Sequence, residues 1–544
     1  MSHASLHPSI AVHTPGRAPR AGRLVPLIGL LAVGLFFGGS VFSGSIFVGH
    51  SADAQIFPSL PDTCTSAYTD GVVHSEQVAT VGTSLELRWT DAAVADQKVV
   101  LIVNGNGYSG AAYRDLADHL ARNGFLLAIA MRPNNGVGGD GAYVLDALQE
   151  TLDAYRLRPT TGAALVGHSR GGELVAEAAI LDDALGSGYR IDAVVGLSPS
   201  ADGYALDGTD TPAYLTLYGS QDEDLTGFGG TVKEAFRAYD DAGTEGTTTC
   251  NSPPCIALAP PFEKNLVHIY GADHAGLIGD ATNATGALLG LQQDREYLDP
   301  ADQLCITKAY VTGFLRWRLL GKSVYKGLIR GEWQPLSVVS IDSAKADGFG
   351  NPAGADRRLF VQNAPVQRRV IANFESGMPA HSTSIDVVTQ LLGAGSMSGT
   401  SSYIRQNTDH VAIGWVATGA GQWIRFGVPS TSGNGGTYTH FALRVGQLEK
   451  APVPYDNPVN ADQAFWIGLQ DGGGAISWHR VDEVPAPDRA TDGTTNAKSV
   501  FRTVRVPVHQ IDGIDLAQVT GVYLYFDRTT HGTLLVDSLE WHRD

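Results

Sequence analysis

Basic charge is scarce in this chain. Lys and Arg number 38 against 56 Asp and Glu, a formal net charge of −18. Nucleic-acid binding needs a basic face, and no basic stripe is present, so that class is excluded. The acidity fits a soluble, exported chain and says nothing about fold. Charged residues make up only 17% and hydrophobic ones 43%, which excludes disorder throughout, because such chains are apolar-poor and charge-rich. The 65 glycines have no three-residue period and no heptad run occurs, so collagen and coiled coil are excluded. No internal repeat and no long low-complexity tract is found. Cysteine is rare, at four residues in 544. Neither a Cys-x-x-Cys pair nor clustered His accompanies them, so no metal centre is expected.

What is present begins with an address. Residues 1–23 carry Arg17, Arg20 and Arg23 and no acid, and Leu24 to Gly49 carries no charge at all. The small-x-small pattern Ser51-Ala52-Asp53-Ala54 follows. This order predicts a secretory signal peptide over residues 1–54, cleaved after Ala54, and a secreted mature chain. The rival is an uncleaved anchor formed by residues 24–49, long enough to span a bilayer. No cysteine follows the apolar run, against a lipoprotein, and no Arg-Arg pair precedes it, against twin-arginine export. In an oxidising compartment an even cysteine count reads as two disulfides. Cys250 and Cys255 flank the turn sequence Asn-Ser-Pro-Pro, which leaves Cys64 for Cys305; the other two pairings stay open.

The length predicts about two to four domains. From about residue 97 to 330, continuous apolar runs alternate with helical stretches. Lys98–Val103, Phe125–Met131, Ala163–Val166, Ile191–Leu197, Ala213–Tyr218 and Asn265–Tyr270 read as buried strands. Ala112–Asn123, Gly141–Arg156, Glu173–Leu181 and Ala301–Leu320 read as helices, the last of them closing the domain. This is an α/β pattern, a mostly parallel sheet with helices on both faces. Val78–Trp89 reads as one antiparallel edge strand. After about Pro335 the helical period vanishes, and short alternating segments separated by Gly, Asn, Asp and Pro predict an all-β sandwich. The expected division is 55–337 for the α/β domain and 338–544 for the sandwich.

The chemistry concentrates at Gly167-His168-Ser169-Arg170-Gly171-Gly172. A short apolar strand precedes this G-x-S-x-G and a helix follows, which is the context of a nucleophile elbow. A serine there needs a base held by an acid, and both are expected downstream at strand ends. Asp222 follows Ala213–Tyr218 and is the expected acid, with Asp202 and Asp224 as competitors. His274 follows the last strand by a short loop and is the expected base, while His268 sits inside the apolar run as a core residue. The order Ser169, Asp222, His274 matches the chain order stated for this motif. Oxyanion donors are expected from the backbone of Arg170 and of Asn106, in the glycine-rich loop Asn104–Gly110, with Tyr108 lining the substrate pocket. Gly105, Gly107 and Gly110 also meet the G-x-G-x-x-G spacing, but no ribose-binding acid marks the next strand.

Assembled, Asn104–Gly110, Gly167–Gly172, Gly219–Asp222 and Gly271–His274 resemble the α/β-hydrolase superfamily over roughly residues 70–330. The run Gly-His-Ser-Arg-Gly-Gly resembles chlorophyllases and dienelactone-hydrolase-like and polyester-hydrolase-like enzymes. The resemblance implies a carboxylic-ester hydrolase with an acyl-enzyme on Ser169 and no cofactor. Two departures stand out: Asn104-Gly105 replaces the usual His-Gly of the oxyanion loop, and the gap from Asp222 to His274 is long. The C-terminal half resembles a jelly-roll, galactose-binding-like module. That resemblance implies carbohydrate or another cell-surface ligand as partner and admits a structural calcium. Trp415, Trp423, Trp466, Trp478 and Trp541 are the candidates for stacking on sugars, against the alternative that they are core. The expected substrate is an ester. The alternatives are a catalytically silent hydrolase-fold surface protein with a carbohydrate-binding sandwich, or a serine hydrolase acting as lipase or peptidase.

Overall fold

The computed structural model describes residues 62–65, 71–79, 84–91, 98–131, 140–200, 212–219, 222, 239, 263–280, 298–343, 359–374, 377–384, 386–392, 410–416, 421–448, 454–457, 463–484 and 501–543. The expected signal peptide or anchor, Asp202, Asp224 and the Cys250–Cys255 pair lie outside the described residues. All described residues belong to one compact unit, residues 50–544. Among them no helix is long and apolar enough to cross a membrane.

The first half is a mixed, largely parallel sheet of nine strands. In chain order these are β1 (Val73–Ala79), β2 (Ser84–Thr90), β3 (Lys98–Val103), β4 (Phe125–Met131), β5 (Ala163–His168), β6 (Ile191–Leu197), β7 (Ala213–Gly219), β8 (Lys264–Ile269) and β9 (Leu359–Ala364). Their order across the sheet is β1-β2-β4-β3-β5-β6-β7-β8-β9. β4 to β8 run parallel, whereas β1, β2 and β9 join antiparallel at the edges. The single edge strand expected over Val78–Trp89 is instead parts of two paired strands, with Ala79 facing Ser84 across the connection. In the sequence the alternation continues through Gly82 without a break.

The buried strands are apolar throughout because both faces are covered. Along β3, Val100 and Ile102 enter one core while Val99, Leu101 and Val103 enter the other. Helices α1 (Arg114–Arg122) and α4 (Pro300–Leu320) pack on the first face, and α2 (Gly141–Ala154) and α3 (Arg170–Leu185) on the second. Local chemistry sets the helix ends. The Asp140 side chain accepts from the Tyr143 N–H to cap α2, Pro300 opens α4, and Gly321 closes it at φ 65°. Two short helices follow, α5 (Lys326–Ile329) and α6 (Leu336–Ser343). The sheet therefore does not end with α4: β9 arises beyond residue 337 and covers the free edge of β8.

The second half consists of separate antiparallel sheets. One holds β10 (Gln367–Ala372), β12 (Val387–Leu392), β13 (His410–Val416), β15 (His440–Gln447), β18 (Arg502–Pro507) and the long β20 (His531–Arg543). The other holds β11 (His381–Thr383), β14 (Gln422–Gly427), β16 (Gln463–Asp471), β17 (Ile476–Val484) and β19 (Val519–Phe526). Alternate residues fill a shared aromatic core, in which Trp415 stacks on Phe526 at 4.2 Å and Phe441 meets Trp541 edge-on at 5.4 Å. The halves join through β9, where Thr503 accepts the Asn363 N–H at 3.1 Å and Arg444 donates to Gln362 at 3.0 Å.

Candidate active site

The parallel strands end on one edge of the sheet, and the predicted residues gather there. β5 ends at His168, Ser169 forms the turn, and α3 starts at Arg170. Ser169 has φ 55° and ψ −127°, a conformation that L residues avoid. Its backbone is held from several sides. The Ser169 N–H donates to Leu197 O at 2.9 Å, and its carbonyl accepts from Gly172 at 2.8 Å and Ser200 at 3.1 Å. The motif glycines answer to sterics here: a Cβ on Gly167 would lie 2.1 Å from Gly171 O, and one on Gly171 would lie 2.5 Å from Val103 O. The positive end of α3 faces the serine. The Arg170 guanidinium pairs with the buried Glu173, which also accepts from Ser200 Oγ at 2.8 Å.

Asp222 lies just past β7 and His274 in the loop after β8, both fully buried. Both Asp222 oxygens lie 3.0 Å from His274 Nδ1. A carboxylate there fixes the tautomer with hydrogen on Nδ1 and leaves Nε2 to act as a base. The histidine loop is anchored by Gln303 of α4, which accepts the Asp273 N–H at 3.0 Å and donates to Leu298 O at 2.7 Å. Gly219 has no room for a side chain, since its Cβ would lie 2.2 Å from Ala272 O. Burial pushes the Asp273 carboxyl up. The core reading of His268 stands, since that side chain is fully buried on β8.

The glycine-rich loop after β3 reaches the same place. The Asn104 side chain donates to Tyr108 O at 2.9 Å, and a Cβ on Gly105 would come within 2.9 Å of both His168 Nδ1 and Ser169 Cβ. Asn106 is exposed in the turn that follows. The Tyr108 ring packs edge-on against His168 at 4.9 Å and lies 6.3 Å from His274. The structure thus brings Ser169, Arg170, Asp222, His274 and the Asn104–Tyr108 loop to one place. The motif-based reading missed Tyr113, Gln303 and the role of His168. His168 stood in the motif as a variable position, and the other two carry no motif at all.

Cys64 is bonded to Cys305, with Cα atoms 4.9 Å apart, and ties the start of the described chain to α4. Among the described residues no group of three or more His, Cys, Asp and Glu is placed to hold a metal ion. Of the five tryptophans expected as sugar-stacking candidates, Trp415 and Trp541 are core. Trp423, Trp466 and Trp478 instead stand on the outward side of the β11-β14-β19-β16-β17 sheet, with Tyr523 and Tyr525 between them. Compared with known proteins, the chain matches no family model and no curated protein.

Proposed function

We propose that the chain is a secreted serine esterase of the α/β-hydrolase type. The observation that carries this is the buried Asp222–His274 pair beside a serine held at φ 55° between a strand and a helix. His274 Nε2 takes the proton of Ser169 as Oγ attacks the ester carbonyl. The negative oxygen of the tetrahedral intermediate is met by the backbone N–H groups of Arg170 and Asn106 and by the end of α3; one such donor is worth about 10²–10³-fold in rate. Collapse expels the alcohol, which receives the proton from His274. Water then gives a proton to His274 and attacks the acyl-enzyme, releasing the acid and restoring Ser169. Tyr108 borders the acyl pocket.

The sandwich half is assigned a carbohydrate or cell-surface ligand. Support comes from the row of partly exposed rings, Trp423, Tyr523, Tyr525, Trp466 and Trp478, which matches the flat apolar faces of sugars. A jelly-roll, galactose-binding-like assignment is part of the same proposal.

The test is hydrolysis of p-nitrophenyl acetate, butyrate and palmitate by the full chain, beside Ser169→Ala. Short-chain activity that disappears in the variant supports the esterase, and a palmitate preference moves the reading to a lipase. No activity and no fluorophosphonate labelling of Ser169 would leave the silent-scaffold reading, with glycan binding as the remaining function.

A further inference from the structure

Acyl transfer requires three loops to keep register: the loop that stabilises the oxyanion, the nucleophile turn and the loop of the base. One buried chain of hydrogen bonds crosses all three. The Gly105 N–H donates to Tyr113 Oη at 2.8 Å, Tyr113 Oη lies 3.0 Å from His168 Nδ1, and His168 Nε2 lies 2.9 Å from His274 O. Its polarity follows from the groups themselves. A carbonyl oxygen only accepts, so His168 Nε2 carries the hydrogen. Burial pulls this imidazole down to about 3, and the neighbouring His274 adds to the shift, so the ring is neutral and Nδ1 is a bare acceptor. The Tyr113 hydroxyl therefore donates to Nδ1 and accepts from Gly105, and each link has one donor and one acceptor.

We infer that Tyr113 and His168 are positioning residues that lock the oxyanion loop and the base loop onto the nucleophile turn. They act through the backbones of Gly105 and His274 and not on the substrate. The fit leaves no slack: Gly105 packs against His168 and Ser169, and Tyr113 and His168 are both fully buried. Tyr113 sits where a 3₁₀ turn, Gly110–Tyr113, runs into α1, so its ring is held by the first core. With its N–H committed to Tyr113, Gly105 hands the oxyanion role to the next residue, Asn106. The inference rests on the esterase reading.

The test compares kcat and KM for p-nitrophenyl butyrate in the full chain, Tyr113→Phe, His168→Asn, the double variant and Ser169→Ala. Phe removes the hydroxyl that joins Gly105 to His168, and Asn offers an acceptor where Nδ1 was but does not reach the His274 carbonyl, so the two single variants break the chain on opposite sides of His168. Each is expected to lower kcat about 10-fold or more with KM within about twofold, and the double to cost no more than the worse single, because both break one chain. Wild-type kcat in the singles, a change in KM alone, or losses that multiply in the double would overturn the inference. Ser169→Ala separates the two claims: activity surviving there sinks the esterase reading, whatever the other variants do. Should a variant fail to melt cooperatively, ring ¹⁵N spectra of the wild-type chain decide. A neutral histidine with hydrogen on Nε2, in contact with a tyrosine from pH 5 to 9, is expected, and its absence would refute the proposed polarity.

Discussion

Each half of the molecule buries a histidine against a carboxylate. In the α/β half His274 meets Asp222 at 3.0 Å, and in the β half His542 meets Glu540 at 2.8 Å. Both imidazoles are buried. Only the first pair sits at the carboxyl edge of a parallel sheet, beside a serine in a left-handed turn and a glycine loop packed on it. The second lies within one strand, β20, among Arg368, Arg505 and the aromatic core. Burial and a carboxylate partner do not distinguish a base from a structural histidine. On the proposed reading the neighbouring backbone does, because a nucleophile and oxyanion donors need chain ends that converge, and strand ends converge where loops leave a parallel sheet.

The strongest way to break the comparison is to remove each histidine in turn. His274→Ala is expected to lower kcat/KM by about 10⁴-fold or more, while His542→Ala leaves kcat within about twofold in the folded protein; equal losses in p-nitrophenyl butyrate assays would erase the distinction. Trp415→Ala is next. Trp415 is fully buried and stacked on Phe526, so its loss is expected to cost about 3–5 kcal/mol in urea unfolding while the folded fraction keeps its activity. Gly105→Ala works in the opposite sense. Its new Cβ would press on His168 and Ser169, so kcat is expected to fall about 10–100-fold in the folded protein alongside a stability loss of about 1–3 kcal/mol, whereas Trp415→Ala spares kcat.

The most gradual effect is on pH. Burial pulls the folded-state values of His119 and His542 down to about 4, below the unfolded value near 6.5. Between those values the unfolded chain binds more protons, so stability falls as pH drops from about 6.5 towards 4 and is regained as pH rises. Each histidine contributes at most about 1.4 kcal/mol per pH unit. Melting temperatures at pH 7 and pH 5 test the sign, and His119→Gln and His542→Gln should each flatten the slope, one in each half. A slope of opposite sign would overturn the assignment of both as buried neutral rings.

Much of the first half was legible because its signals are local. Strands such as β3 and β4 are apolar on both faces, and the glycines around Ser169 announce a turn with no room for side chains. The strand end that carries Asp222 was visible for the same reason. The hairpin at β1 and β2 was not, since alternation runs through Gly82 without a break in pattern. β9 was also missed, because pairing with β8 is decided by a free edge far away in the chain. Trp423 and Trp415 are alike in sequence terms, each in a short alternating strand; only the stacking of the two sheets says which faces the core.

By itself the sequence determined the α/β-then-β order, the Ser169, Asp222 and His274 candidates and the pairing of Cys64 with Cys305 as one of three choices. Each of these is written in periodicity, in a glycine-bounded turn or in a count. The tertiary structure alone decided that Asp222 meets His274, that Tyr113 and His168 tie three loops together, and that β9 completes the first sheet. These contacts join residues 52, 55 and 106 positions apart, or strands nearly a hundred apart. No local pattern encodes such distances, since they arise only when packing brings the strand ends to one edge.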